Sequence, residues 1–395
     1  MAGSVILAGA RTPIGKLSGA LSGFAATELG GVAIRAALER AGVRPDQVDY
    51  VFMGQVLQAG AGQITARQAA ANADIPLTVP ATTVNKVCLS GLNAIFLADL
   101  LIQAGAAEIV VAGGMESMSK APYLLPGARE GYRLGDRSVI DSMMYDGLFC
   151  AFDQCAMGAG TERYAASAGI ERAPQDELAA KSHERAAAAM KEGRLAEEIV
   201  PVTVPQRRGD PLVVDTDEGV RPGTTAESLA GLRPAFDKAG NITAGNASQI
   251  SDGAAAVIVA SRAAADRLGL GVLGEVVGYG QVAGPDPSLL TQPSRAIGAA
   301  LESAGRSLAE VDLFELNEAF AAVGVASMQD LGISDEVVNV NGGAIALGHP
   351  VGMSGTRVAL TLLHELRRRG GGLGAAALCG GGGQGDAILL SVATS

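Results

Sequence analysis

The chain holds four cysteines and three histidines, and three of these seven residues stand where chemistry is possible. Cys88 lies in "VNKVCLSGLNAI", between a short apolar run and a stretch of small residues, at a strand-to-helix turn. Cys379 closes an apolar run in "GAAALCGGGGQ", and His349 stands in "GAIALGHPVGMSG". A thiol with an ordinary pKa of about 8.5 is a poor nucleophile at neutral pH, and a helix N-terminus offers at most about 2 kcal/mol of help. A histidine that takes the proton would complete a Cys/His pair, the arrangement of nucleophilic acyl transfer. The glycines after Cys379 let the backbone come close to the same point. Asn317, in "LNEAF", adds an amide. Taken singly, each has an ordinary explanation: Cys88 and Cys379 as core fillers, His349 as a satisfied loop histidine, Asn317 as a cap. Only convergence on one place separates chemistry from packing.

A duplication in the chain implies that convergence. "AIRAALERAGVRPDQVDYVF" at 33–52 matches "AIGAALESAGRSLAEVDLFE" at 296–315, an offset of 263 residues, each reading as an amphipathic helix, a turn and an apolar strand. "VN" at 84–85 recurs at 340–341, and "SGLNAIFLADLL" from Ser90 recurs as "SGTRVALTLLHEL" from Ser354. Both of these helices are apolar nearly all round, so burial on every side is expected. Each is followed by a strand ending in glycines. From Asn85 to Gly91 is six positions, whereas from Asn341 to Gly355 is fourteen; the eight extra residues, "GAIALGHP", carry His349 at the turn where the first copy carries Cys88. Open α/β sheets bind ligands beyond the carboxyl ends of their strands, where helix N-termini also point. Cys88, Asn317, His349 and Cys379 all map there.

Composition narrows the class. With 395 residues, 48% of them hydrophobic, two or three domains are expected. The apolar runs break well before the roughly 18 residues needed to cross a bilayer, and the start "MAGSVILAGARTPIGK" lacks the pattern of a signal segment, so a soluble cytoplasmic protein is expected. The cysteines form no CxxC and, with so few histidines, give neither a disulfide framework nor a usual zinc site, so no metal is expected. Cys150 and Cys155, in "LFCAFDQC", read as ordinary side chains. A net charge of -11 argues against nucleic acid. Residues 119–250 break the duplication and read as an inserted loop domain, leaving 1–118 with 251–272 as one half and 273–395 as the other.

"VNKVCLSGLNAI", "LNEAFAA", "NVNGGAIALGHPVGMSGTR" and "ALCGGGGQGDA" together resemble the thiolase family, and specifically its acetyl-CoA acetyltransferases. "GARTPIGKLSG", "GGMESMSKAPYLLP" and "LRPAFDKAGNITAGNASQISDGAA" extend the match nearly end to end. The resemblance implies an α/β fold of two similar halves layered around shared buried helices, with a loop domain for coenzyme A binding and tetramerisation. It implies a ping-pong condensation of two acetyl-CoA to acetoacetyl-CoA and CoA. Cys88 would accept the acetyl group, His349 would take its proton, and Cys379 would remove the α-proton of the second substrate. Asn317, through a water, and His349 would hold the enolate oxygen. The N–H groups of Cys88 and Gly381 would form a second oxyanion hole. For the coenzyme, the resemblance implies Arg221 at the adenine, Ser248 at the pantetheine amide, and Leu148, Met157, Ser228, Phe236, Ala244, Ala319 and Phe320 along the pantetheine arm. Coenzyme A thioesters enter as substrates, with no tightly bound cofactor, no membrane partner, and a homotetramer acting in fatty acid metabolism. Two stretches depart from the family: Ala156 where a polar residue is usual, and 286–297 without the usual glycine- and proline-rich pocket stretch. The alternatives are a degradative 3-oxoacyl-CoA thiolase of broader chain length and a non-catalytic acyl-CoA carrier.

Overall fold

The structure, a computed structural model, describes residues 4–394. In chain order, β1 (Ser4–Arg11), α1 (Ala26–Ala41), β2 (Tyr50–Gly54), α2 (Thr65–Asn72), β3 (Ala81–Val84), α3 (Ser90–Gln103) and β4 (Ile109–Ser117) build most of the first half. An excursion follows, carrying α4 (Met157–Ser167) and α5 (Arg172–Lys191), and β5 (Ser251–Ser261) then completes the first sheet. The second half runs β6 (Gly274–Ala283), α6 (Gln292–Ala304), β7 (Leu313–Leu316), α7 (Ala321–Leu331), α8 (Ser354–Arg368), β8 (Gly372–Gly380) and β9 (Gln384–Val392).

The strand order repeats as the duplication requires. The first half reads β3-β2-β4-β5-β1 and the second β7-β8-β9-β6. In each, the strands at the outer end are parallel (β2 with β3 and β4; β7 with β8), and the last two are added antiparallel. Where β3 would recur, a parallel bridge joins Phe314 to Val338. The two runs meet edge to edge through only two pairs, Val5 with Glu275 and Ile6 with Gly274, which leaves the sheets free to splay around a filled centre.

That centre is α3 and α8. Leu92, Ile95 and Ala98 pack with Val358, Leu362 and Leu366 in one core with Val110, Val257, Ala376 and Ile388 of the surrounding strands. Each fully buried Leu, Ile or Val contributes about 1.5–3 kcal/mol. The helices touch backbone to backbone at their first turns. A Cβ on Gly91 would stand 2.8 Å from the Thr356 nitrogen, and one on Gly355 would overlap the Leu92 nitrogen. Glycine at both positions therefore sets how closely the Cys88 turn and the His349 loop approach.

The two central helices differ in burial, contrary to the expectation from their composition. On α3, Leu100 is 44% exposed. On α8, even Arg357, Thr361 and Glu365 are buried. The excursion covers the outer side of α8, where Thr361 donates to Glu198 at 2.9 Å, while Arg357 pairs with Glu315 at 3.0 Å. Buried charge is tolerated only when paired. The same rule ties the excursion to β1: Arg11, fully buried, pairs with Glu198 at 2.6 Å and binds both oxygens of Asp217 at 2.7 and 2.9 Å.

Candidate active site

β3 ends at Val84, and the next turn presents Cys88. Asn85 Oδ1 accepts the Val87 N–H at 3.1 Å. Ser90 Oγ accepts the Lys86 N–H at 2.9 Å and donates to the Val87 carbonyl at 2.6 Å. Held from both sides, Val87 adopts φ +51, a left-handed conformation that a β-branched residue takes only when its surroundings impose it. Cys88 follows, partly exposed, two residues before the start of α3 at Ser90. Burial of the sulfur and the nearby Glu116 carboxylate push its thiol up to about 12.

His349 arrives on the loop that the second half has gained. Gly348 has φ +114, and a Cβ there would overlap Ser251 Oγ, so only glycine fits this entry. The ring is buried. Its Nδ1 lies 2.6 Å from Ser354 Oγ, which lies 3.1 Å from the Pro350 carbonyl. A carbonyl only accepts and a hydroxyl has one proton, so both contacts are made when Ser354 donates to Pro350 and accepts from Nδ1–H. Nε2 then carries the lone pair. It faces Asn317 Nδ2 at 3.4 Å. Burial, and secondarily Arg357, lower the imidazole to about 3, so it rests neutral and able to accept a proton.

Asn317 is the first residue after β7, and its N–H donates to the Ala377 carbonyl at 3.0 Å. Parallel pairing of β7 with β8 thus brings it beside the strand that ends in Cys379. Asn317 is fully buried, and its Oδ1 has no partner among the described residues. Cys379 is fully buried; burial raises its thiol strongly, and the neighbouring Cys88 sulfur raises it further. Beneath both loops lies Glu116, which accepts from the N–H groups of Val56, Leu57 and Gly352 at 2.9, 3.1 and 3.1 Å. Burial raises this carboxyl to about 7, against the pull of those three bonds.

Cys88, His349, Cys379 and Gly381 line one cavity of about 50 Å³, together with Leu148, Met157, Ser248, Ala319 and Phe320. Val87, Gly147, Leu289, Val351 and Gly380, which the sequence did not single out, complete its wall. Phe236 meets Phe320 edge to face at 6.3 Å between ring centroids. Arg221, Ser228 and Ala244 are exposed on 221–244 and do not line the cavity. His183 reads in the sequence as a structural residue of a helix. Its Nδ1 accepts the Arg221 N–H at 3.1 Å, so it anchors the segment that carries Arg221. Ser354 and Glu116 also escaped the sequence reading. The five-residue step from His349 to Ser354, onto the first turn of a helix, is the signal that would have found Ser354.

The site therefore combines a thiol at a strained turn, a neutral imidazole with its lone pair at Nε2, an amide, and a second thiol at a glycine-rich strand end. This set suits acyl transfer to sulfur followed by proton abstraction. Comparison with known proteins agrees with it. Residues 4–263 match the model of the thiolase N-terminal domain, and 270–392 that of the thiolase C-terminal domain. A probable acetyl-CoA acetyltransferase of Mycolicibacterium smegmatis is 58% identical over 386 residues, 98% of this chain and 100% of the relative. An acetyl-CoA acetyltransferase of Cupriavidus necator is 53% identical over 98% of both chains. The crystal structure of the Bacillus anthracis acetyl-CoA acetyltransferase superposes with a TM-score of 0.96 at 41% identity, covering 99% of each chain. With both halves matched by their own family models, the chain belongs to the thiolase family.

Proposed function

We propose that this thiolase is an acetyl-CoA C-acetyltransferase, joining two acetyl-CoA to give acetoacetyl-CoA and CoA, and running in reverse as a thiolase. The observation that carries the reading is the meeting of two thiols and one neutral imidazole on a single narrow cavity. In the first half-reaction the Cys88 sulfur attacks the thioester carbonyl while His349 Nε2 takes its proton. With the thiol near 12 and the imidazole near 3, no ion pair rests in the free site, so proton transfer accompanies bond formation. The N–H groups of Cys88 and Gly381 receive the developing oxyanion, a donor being worth about 2.7–4 kcal/mol. The carbon–sulfur bond to CoA then breaks, and the imidazolium returns the proton to the leaving thiolate.

In the second half-reaction Cys379 removes an α-proton from the next acetyl-CoA. Asn317, through a water, and His349, in the tautomer that carries its proton on Nε2 while Nδ1 accepts from Ser354, hold the enolate oxygen. The carbanion attacks acetyl-Cys88, the new carbon–carbon bond forms, the bond from the Cys88 sulfur to the carbonyl carbon breaks, and that sulfur takes the proton that Cys379 had removed.

The small cavity, walled by Met157 and Phe320, favours an acetyl group over a longer acyl chain. Arg221, Ser228, Phe236, Ala244 and Ser248 form the coenzyme track toward it in this reading, all within a coenzyme-binding and assembly domain at 119–250. Tyr123, Leu134, Tyr145 and Phe152 are 68%, 93%, 60% and 74% exposed; exposed large apolar side chains favour self-association when they are gathered on one face, and a homotetramer in the cytoplasm is proposed. Labelled acetyl-CoA should leave its acetyl group on the Cys88 peptide of the wild type and leave none on Cys88→Ala. Label on another residue overturns the reading. A kcat/KM for C10 3-oxoacyl-CoA that equals or exceeds that for acetoacetyl-CoA would replace it with a degradative thiolase.

A further inference from the structure

We propose that Cys150 and Cys155 are an oxidisable dithiol site, which a peroxide converts into an intrachain disulfide in the wall of the catalytic cavity. The pair sits in a small hairpin, Phe149–Cys150 against Cys155–Ala156, with Cys150 directly opposite Cys155. Opposite residues of an antiparallel pair point to the same face with Cβ atoms about 4.5–5.5 Å apart, and a disulfide needs about 3.5–4.5 Å with Cα atoms about 4.4–6.8 Å apart. Closure thus requires only a small inward movement, which a ribbon of two pairs permits.

Both thiols are free, Cys150 buried and Cys155 partly exposed. The Arg163 guanidinium donates to Cys155 Sγ at 3.3 Å, and the Asp153 N–H donates to Cys150 Sγ at 3.3 Å. Gly160 lies beside them: a Cβ there would make ordinary contact with Cys155 Sγ at 3.6 Å and stand 3.3 Å from Asp153 Oδ2. Neither thiol has a part in the condensation. No group of three ligating side chains occurs among the described residues, so the pair has no third partner with which to hold a metal.

The exposed and the buried sulfur take different parts. The Cys155 sulfur, reached from solvent and facing a cation, attacks one oxygen of the peroxide. The O–O bond breaks, giving a sulfenic acid at Cys155 and one water. The Cys150 sulfur then attacks the Cys155 sulfur, the S–S bond forms, and the sulfenic oxygen leaves as a second water with the Cys150 proton. Two thiols are oxidised and one peroxide is reduced. The hairpin runs directly from Leu148 to Met157, both lining the cavity, so the disulfide fastens together the two ends of that wall.

The chain allows a clean test, because the tryptic peptide 138–163 contains Cys150 and Cys155 and no other cysteine. Full-length protein is treated with hydrogen peroxide, unfolded, alkylated with iodoacetamide and digested. The expected result is a peptide 138–163 that has lost two hydrogens, carries no alkyl group, and regains both sites of alkylation after dithiothreitol. Cys155→Ser should abolish this species while its reduced form keeps the wild-type condensation rate. Full alkylation of both positions after peroxide has consumed the Cys88 thiol overturns the proposal, as does a disulfide joining either residue to the Cys88 or Cys379 peptide.

Discussion

Replacing Ser354 with alanine removes the hydroxyl that accepts the His349 Nδ1–H at 2.6 Å. The ring is buried, so the Nδ1–H tautomer is left with an unpaired donor, at a cost of about 1–3 kcal/mol. At about 1.36 kcal/mol per tenfold, the population with its lone pair at Nε2 falls by about 5- to 150-fold. That is the population able to take the Cys88 proton, so acetylation of Cys88 should slow by the same factor. Ser354 does not line the cavity, and alanine suits the first turn of a helix, so KM for acetyl-CoA should change little. Rapid-quench measurement with labelled acetyl-CoA reads the rate. Nitrogen chemical shifts of the imidazole read the tautomer directly, and Ser354→Thr, which keeps a hydroxyl, should restore both. An alanine variant that acetylates at the wild-type rate with unchanged imidazole shifts refutes this account of His349.

Four further outcomes are expected. Cys379→Ser should still be acetylated at Cys88, seen as a mass increase on that peptide, while condensation falls by about 10²–10⁴; condensation near the wild-type rate would move the base elsewhere. Gly355→Ala drives a Cβ into the Leu92 backbone, which cannot yield as a side chain would, so the urea midpoint should fall by more than the usual overpacking cost of about 1–3 kcal/mol implies. Burial raises the Glu365 carboxyl, but hydrogen bonds from Arg368, Arg369 and Asn341 bring it down to about 2. A carboxyl depressed in the folded state stabilises above its unfolded value near 4.5 and loses that contribution as pH falls toward 2. The stability difference between wild type and Glu365→Gln should therefore shrink across that window in urea titrations, and a constant difference would count against it. With His349 held near 3 by burial and by Arg357, single-turnover acetylation should show no imidazole step near pH 6.5.

How much of this was written in the sequence depends on the range of the interaction. Duplication, strand and helix order, and the placing of Cys88, Asn317, His349 and Cys379 at strand ends follow from local periodicity and from one eight-residue gain in the second copy. The strand order bears out the fold, because each copy must solve the same packing problem in the same way. The burial of α3 was overestimated for a related reason: composition records that a helix is apolar but not which neighbours cover it.

The chemistry of the site lies on contacts between distant residues, and these the sequence did not show. Glu116 binds the Gly352 N–H across 236 positions, and Thr356 Oγ1 donates to the Gly91 carbonyl across 265. No local pattern marks either pair, since a buried carboxylate in an apolar strand looks like a misplaced charge until its three donors are seen. The tautomer of His349, the thiol of Cys88 pushed up by burial, and a cavity of about 50 Å³ are set by water exclusion where two halves meet. Sequence determined which residues could react; close approach of the α3 and α8 backbones, with the desolvation it brings, decided their protonation states and the space left for substrate.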